Sequence, residues 1–154
     1  AEQGGMRMAP FNMLVGSLLL FRLLGFAGWA YFDSWTTSLR VAVALMFLLT
    51  ASAHWGKRRP DLIRMVPPMF PRPDWIVTVT GWLEIAGAIA IVIPSASRFA
   101  AIGLAVLLVA MFPANVYAAR HRLAIAGTPV TPLLPRTALQ LVFLAAVLLA
   151  GWMT

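Results

Sequence analysis

Long apolar runs alternate with short polar breaks along this chain. Five runs stand out, over about 11–32, 38–55, 75–94, 98–119 and 134–153. Each is close to the ~20 residues that carry a helix across ~30 Å of hydrocarbon. Lipid offers no partners to free backbone groups, so runs of this kind are predicted to be helices. The breaks agree. Pro10 precedes the first run, and Asp33, Ser34, Thr36 and Thr37 separate it from the second. "GKRRPDLIRMVPPMFPRPD" follows the second run, Pro94 and Ser95 end the third, and "RHRLAIAGTPVTPLLPR" leads into the fifth. Prolines sit at helix starts and in loops, where a missing N–H costs least. The expectation is all-α: a polytopic membrane helix bundle forming one transmembrane domain over 1–154. The opening "AEQGGMRMAP" reads as processing sequence, and the first run as an uncleaved span.

Composition strengthens this picture. Hydrophobic residues make up 61% of the 154 and charged ones 11%, against about half and about a quarter in soluble domains. The mean hydropathy is +0.85. There is no cysteine, which excludes disulfides, thiolate metal sites and thiol redox chemistry by this chain. The net charge of +7 would point to nucleic acid in a soluble protein. Here the cations follow membrane sidedness instead. Lys57, Arg58, Arg59, Arg64, Arg72, Arg120, Arg122 and Arg136 fall in two loops that five crossings place on the side of Arg7. Arg40 and Arg98 are left for the other side. The positive-inside rule then predicts a cytoplasmic N-terminus and an external C-terminus. The expected partner is the lipid bilayer, not nucleic acid.

Against this background Glu84 is conspicuous. It lies in "TGWLEIAGAIAIVIP", about nine residues into its run and so roughly 14 Å deep. An ionisable group at that depth is costly and marks a candidate site. Thr80, Gly81, Gly87 and Ala88 share its face at helical spacing, and small faces are where membrane helices approach closely. Glu84 is therefore expected to face the bundle interior. Arg22 lies at similar predicted depth, roughly 17 Å into the first run, so an Arg22–Glu84 ion pair is the simplest neutralisation, as a buried staple or as part of a site. His54, Asn115 and Gln140 lie near the cytoplasmic ends of their runs and are candidates to line one vestibule above Glu84. Two of them have a plainer reading, His54 as a helix-end cap and Asn115 as repair of the kink expected at Pro113. "MVPPMFPRPDW" reads either as an interfacial segment or as a lid over the vestibule. His54 and His121 are the only histidines, a poor basis for haem, and no metal site is expected. No phosphate loop, nucleophile elbow or zinc signature is present.

"ASAHW" at 51–55, "MVPPMFPRPDW" at 65–75, "TGWLEIAGAIAIVIP" at 80–94 and "MFPANVYAA" at 111–119, in that order, resemble the DoxX-like family of small bacterial membrane proteins over about 38–153. The resemblance implies a four-helix membrane core, to which this chain adds one N-terminal helix, and a place in the bacterial inner membrane. It carries site or structural roles onto His54, Pro67, Pro71, Gly81, Glu84, Pro113 and Asn115; Arg22 falls outside its pattern. It also implies a link to quinone-dependent oxidoreductase systems.

The function expected on these grounds is that of a membrane subunit of an oxidoreductase system. It would bind a quinone or similar amphipathic molecule near Glu84, hold no intrinsic cofactor and draw electrons from a partner protein. Two alternatives remain open. One is a non-catalytic scaffold anchoring a soluble enzyme through the basic loops. The other is a small proton-coupled transporter, for which five helices are few unless the chain forms homo- or hetero-oligomers.

Overall fold

A computed structural model describes residues 9–32, 34–121, 123–125, 128–129 and 132–152. Arg7, Asp33 and Arg122, which entered the sequence reading, lie outside them. Five long helices appear where the apolar runs predict them: α1 (Ala9–Phe26), α2 (Trp35–Ser52), α4 (Pro73–Ile91), α5 (Ser97–Arg120) and α6 (Leu133–Trp152). A short helix, α3 (Arg59–Met65), lies between α2 and α4. A two-residue antiparallel ladder, Ala124–Ile125 with Thr128–Pro129, precedes α6.

Local chemistry explains most of the boundaries. Ser34 caps α2, its hydroxyl accepting from the Thr37 N–H at 3.1 Å. Pro73 and Asp74 open α4, where a missing N–H is harmless and a negative charge suits the helix dipole. Buried Ser97 starts α5 and donates to the Ile91 and Ile93 carbonyls at 2.7 and 3.0 Å, which closes the turn after α4. The first helix departs from expectation. It stops at Phe26 rather than near Phe32, and the chain turns at Gly28 with φ +116°. Phe32 then folds back to stack on Phe21, ring centroids 4.6 Å apart. Helix α5 runs unbroken through Pro113.

Helix α2 packs on α4, α4 on α5, α5 on α6, and α6 on α2, a closed four-helix ring; α1 packs on the outside of α2. Small residues set the closest approaches. A Cβ on Gly87 would run into Leu104, and one on Gly151 into the Ala101 Cβ. The buried centre is apolar, built on Val43, Met46, Phe47, Ile91, Leu104 and Val147.

The outside is apolar too. Leu19, Leu23, Trp82, Val106, Val109, Leu141 and Leu149 stand exposed along the helices. A water-soluble monomer does not present so continuous an apolar jacket. The five long helices meet the length and hydropathy needed to cross a membrane, and the architecture is that of a multi-pass membrane helix bundle. Exposed Trp29, Trp35 and Trp152 gather at one end of the bundle and Trp75 at the other, the placement of interfacial aromatic belts.

Candidate functional site

Glu84 is 2% exposed and faces the bundle interior. The small face predicted around it is where the neighbours sit. A Cβ on Gly81 would come within 2.7 Å of the Trp55 ring and 2.9 Å of the His54 Cβ. That clearance lets the end of α2 press against α4 and brings His54 to Glu84, with Nδ1 3.6 Å from Oε2. The Thr50 hydroxyl, one turn back on α2, is also within hydrogen-bonding reach of the carboxyl group. Oε2 itself has no hydrogen-bond partner among the described residues.

Arg22 is elsewhere, which corrects the expected Arg22–Glu84 pair. Its guanidinium donates to the Phe32 carbonyl at 3.5 Å and lies 3.9 Å from the Phe26 ring centroid and 5.3 Å from that of Trp35. Trp35 opens α2 and Thr50 nearly closes it, so the two sites are separated by about 22 Å of helix at 1.5 Å per residue. The early end of α1 is the reason. Arg22 lies four residues from the end of α1 and reaches the turn beyond it, not the membrane midplane.

His54 is 5% exposed, and its hydrogen bonds fix its ring. Nδ1 lies 3.0 Å from the Thr50 carbonyl. A carbonyl can only accept, so Nδ1 carries the hydrogen and a neutral ring has its lone pair at Nε2. Arg59 holds the backbone in place. It donates to the His54 carbonyl and to the Asp74 carbonyl, each at 2.9 Å, and to the Thr78 hydroxyl at 2.8 Å. One guanidinium thus ties the end of α2 to the first turns of α4.

His54 also lines a cavity of about 240 Å³ at the end of the bundle that carries the basic loops. The walls come from α3, the following proline-rich loop, the start of α4 and the last turns of α5. Met65, Val66, Pro67 and Phe70 line it, which puts part of the proline-rich segment in its wall. Pro71 is exposed and is not among the lining residues. Pro113 lines the cavity, as does Asn115. Only three lining residues have polar side chains: His54, Thr80 and Asn115. Thr80 spends its hydroxyl hydrogen on its own helix, at the Ile76 and Val77 carbonyls.

Asn115 is held from behind. Arg136 at the start of α6 donates to its Oδ1 at 2.9 Å. Sequence reasoning counted Arg136 only as a marker of sidedness, and Arg59 likewise. Their signal was position, since each lies close to a helix terminus where a long side chain reaches a neighbouring helix. Gln140 does not join the vestibule. Its amide donates to the Leu108 carbonyl at 2.6 Å and stitches α6 to α5 within the bundle. His121 is exposed and stacks on Tyr117 at 4.1 Å, away from the cavity. Among the described residues no three metal-ligating side chains come together.

Chemically, then, the site is an apolar chamber with a fixed imidazole on one wall, a fixed amide on another, and a buried carboxyl group behind the imidazole. Residues 43–151 match the family described as Domain of unknown function (DUF8561), and the chain belongs to that family. The matched stretch begins within α2, takes in α3, α4, α5 and nearly all of α6, and leaves out α1. No curated protein and no solved structure matches the chain.

Proposed function

We propose that this protein binds the headgroup of a small amphipathic molecule, a quinone or a relative of one, in the chamber between α3, α4 and α5. The observation that carries the reading is the lining. It is apolar except for His54, Thr80 and Asn115, the few convergent polar groups that orient a ligand in an otherwise greasy pocket. At about 240 Å³ the chamber falls below the ~300–1,000 Å³ of sites that swallow a whole drug-sized ligand. It suits a single ring, with any tail left outside. Ala110 and Pro113 line the chamber yet are exposed on the apolar flank of α5, so a tail has a lateral way out into lipid.

In this reading the chain is a membrane subunit of an oxidoreductase system, in keeping with its DoxX-like motifs. Electrons would come from a partner protein, and exposed Lys57 and Arg58 at the same end of the bundle offer an acidic partner a docking face. That end would face the cytoplasm of a bacterial cell, following the positive-inside rule.

The test is extraction of the protein in mild detergent, followed by mass spectrometry of what it retains. Ala114→Trp, which fills the chamber, is the comparison. A ring-bearing amphiphile held by the wild type and missing from the variant supports the reading. Equal contents in the two would contradict it.

A further inference from the structure

The two polar walls of the chamber are not interchangeable, and their second partners decide what each can do. His54 has its Nδ1–H committed to the Thr50 carbonyl at 3.0 Å, beside Glu84 Oε2 at 3.6 Å. What the neutral ring has left for the chamber is Nε2, an acceptor. Asn115 has its Oδ1 taken by Arg136 at 2.9 Å. That leaves its amide NH₂, the one donor among the polar groups of the lining not already given to the protein, to face an acceptor on a ligand. Thr80 adds no donor, because its hydrogen goes to backbone carbonyls; its oxygen can only accept, as Nε2 does.

We infer that the chamber selects a ring carrying a hydroxyl group at the His54 end and an acceptor oxygen at the Asn115 end, a phenol-type headgroup such as a quinol, and so favours the reduced relatives of a quinone over the oxidised ring, which bears acceptors alone. This rests on the proposed headgroup site and adds the hydrogen-bond polarity of its occupant. In an apolar chamber a mismatched polarity leaves a lone pair facing a lone pair, an unmet buried hydrogen bond. Glu84 is a positioning residue in this arrangement. It stands 3.6 Å behind Nδ1 and, with the Thr50 carbonyl, keeps that edge of the ring turned away from the chamber.

The experiment uses the full chain in nanodiscs, with empty discs as the partition control. Two probes share one ring and one tail: hydroquinone monohexyl ether, with one hydroxyl and one ether oxygen, and its O-methyl derivative, with two ether oxygens. The monoether is expected to bind about tenfold or more tightly than the methylated probe, the usual consequence of one unmet buried hydrogen bond. His54→Phe should erase that preference. Asn115→Asp should keep the fold, since aspartate pairs with Arg136, yet weaken the monoether by about tenfold because a donor has become an acceptor. Equal binding of the two probes to the wild type, or undiminished binding of the monoether to Asn115→Asp, overturns the inference and leaves the headgroup site standing. Binding of neither probe overturns both. If His54→Phe fails to fold, the probe pair on the wild type and the Asn115→Asp variant still decide.

Discussion

His54 Nδ1 sits 3.6 Å from Glu84 Oε2, which links the turn just after one membrane helix to the middle of another. Around this contact the deepest acid of the bundle, a ring of fixed tautomer and the chamber form one continuous arrangement. Both groups are buried, and small side chains on α4 make their approach possible.

Substitution Glu84→Gln should leave the fold intact. Oε2 has no hydrogen bond to lose, and an amide turned with its oxygen to His54 preserves the contact, so stability should change by no more than about 1 kcal/mol. Headgroup affinity should stay within about threefold of the wild type, because the Thr50 carbonyl still holds the His54 ring and the amide oxygen takes the place of Oε2. Thermal unfolding in detergent alongside probe binding checks both halves.

Gly81→Ala should disturb the site through packing alone. The added methyl would stand 2.9 Å from the His54 Cβ, which cannot swing aside without its backbone. Overpacking of this kind costs about 1–3 kcal/mol. Lowered thermal stability together with lost probe binding is the expected result.

Gly151→Ala is the matching control. Its methyl would meet the Ala101 Cβ where α5 and α6 cross, at the end of the bundle away from the chamber. Stability should fall by a similar ~1–3 kcal/mol. The preference between the two probes should stay as in the wild type.

Arg59→Lys should loosen the site despite keeping the charge. The guanidinium serves three acceptors on two segments, and an ammonium group cannot match that fork. Each charge-assisted bond lost costs about 1.5–3 kcal/mol. Faster hydrogen exchange at the end of α2 and the start of α4, with the α5–α6 contact unchanged, is the expected pattern.

How legible this was in the sequence differs from residue to residue. The five long helices were plain, because a membrane span needs an unbroken apolar run and the chain has five. The inward aim of Glu84 was legible from Thr80, Gly81, Gly87 and Ala88 on one face. Its partner was not. Treating the first apolar run as one helix through Phe32 placed Arg22 near the midplane, and nothing in the local pattern announced that Gly28 would turn the chain. The α3 helix was hidden because its seven residues carry no long period, and Pro60 and the basic cluster look like loop. Gln140 was grouped with the vestibule by depth alone, yet depth does not give rotation about a helix axis. Arg59 and Arg136 were absorbed into the charge count, since a cation that marks sidedness and one that bridges two helices look alike in a string of letters.

The orientation and protonation of the His54 ring test the account most directly. The chain has only two histidines, so histidine-selective ¹⁵N labelling yields two imidazoles, and His121→Asn assigns them. At neutral pH in nanodiscs, His54 should show a protonated Nδ1 and a bare Nε2, with the Nε2 resonance moving when the monoether is added. A ring protonated at Nε2, or an Nε2 signal indifferent to the probe, would contradict it.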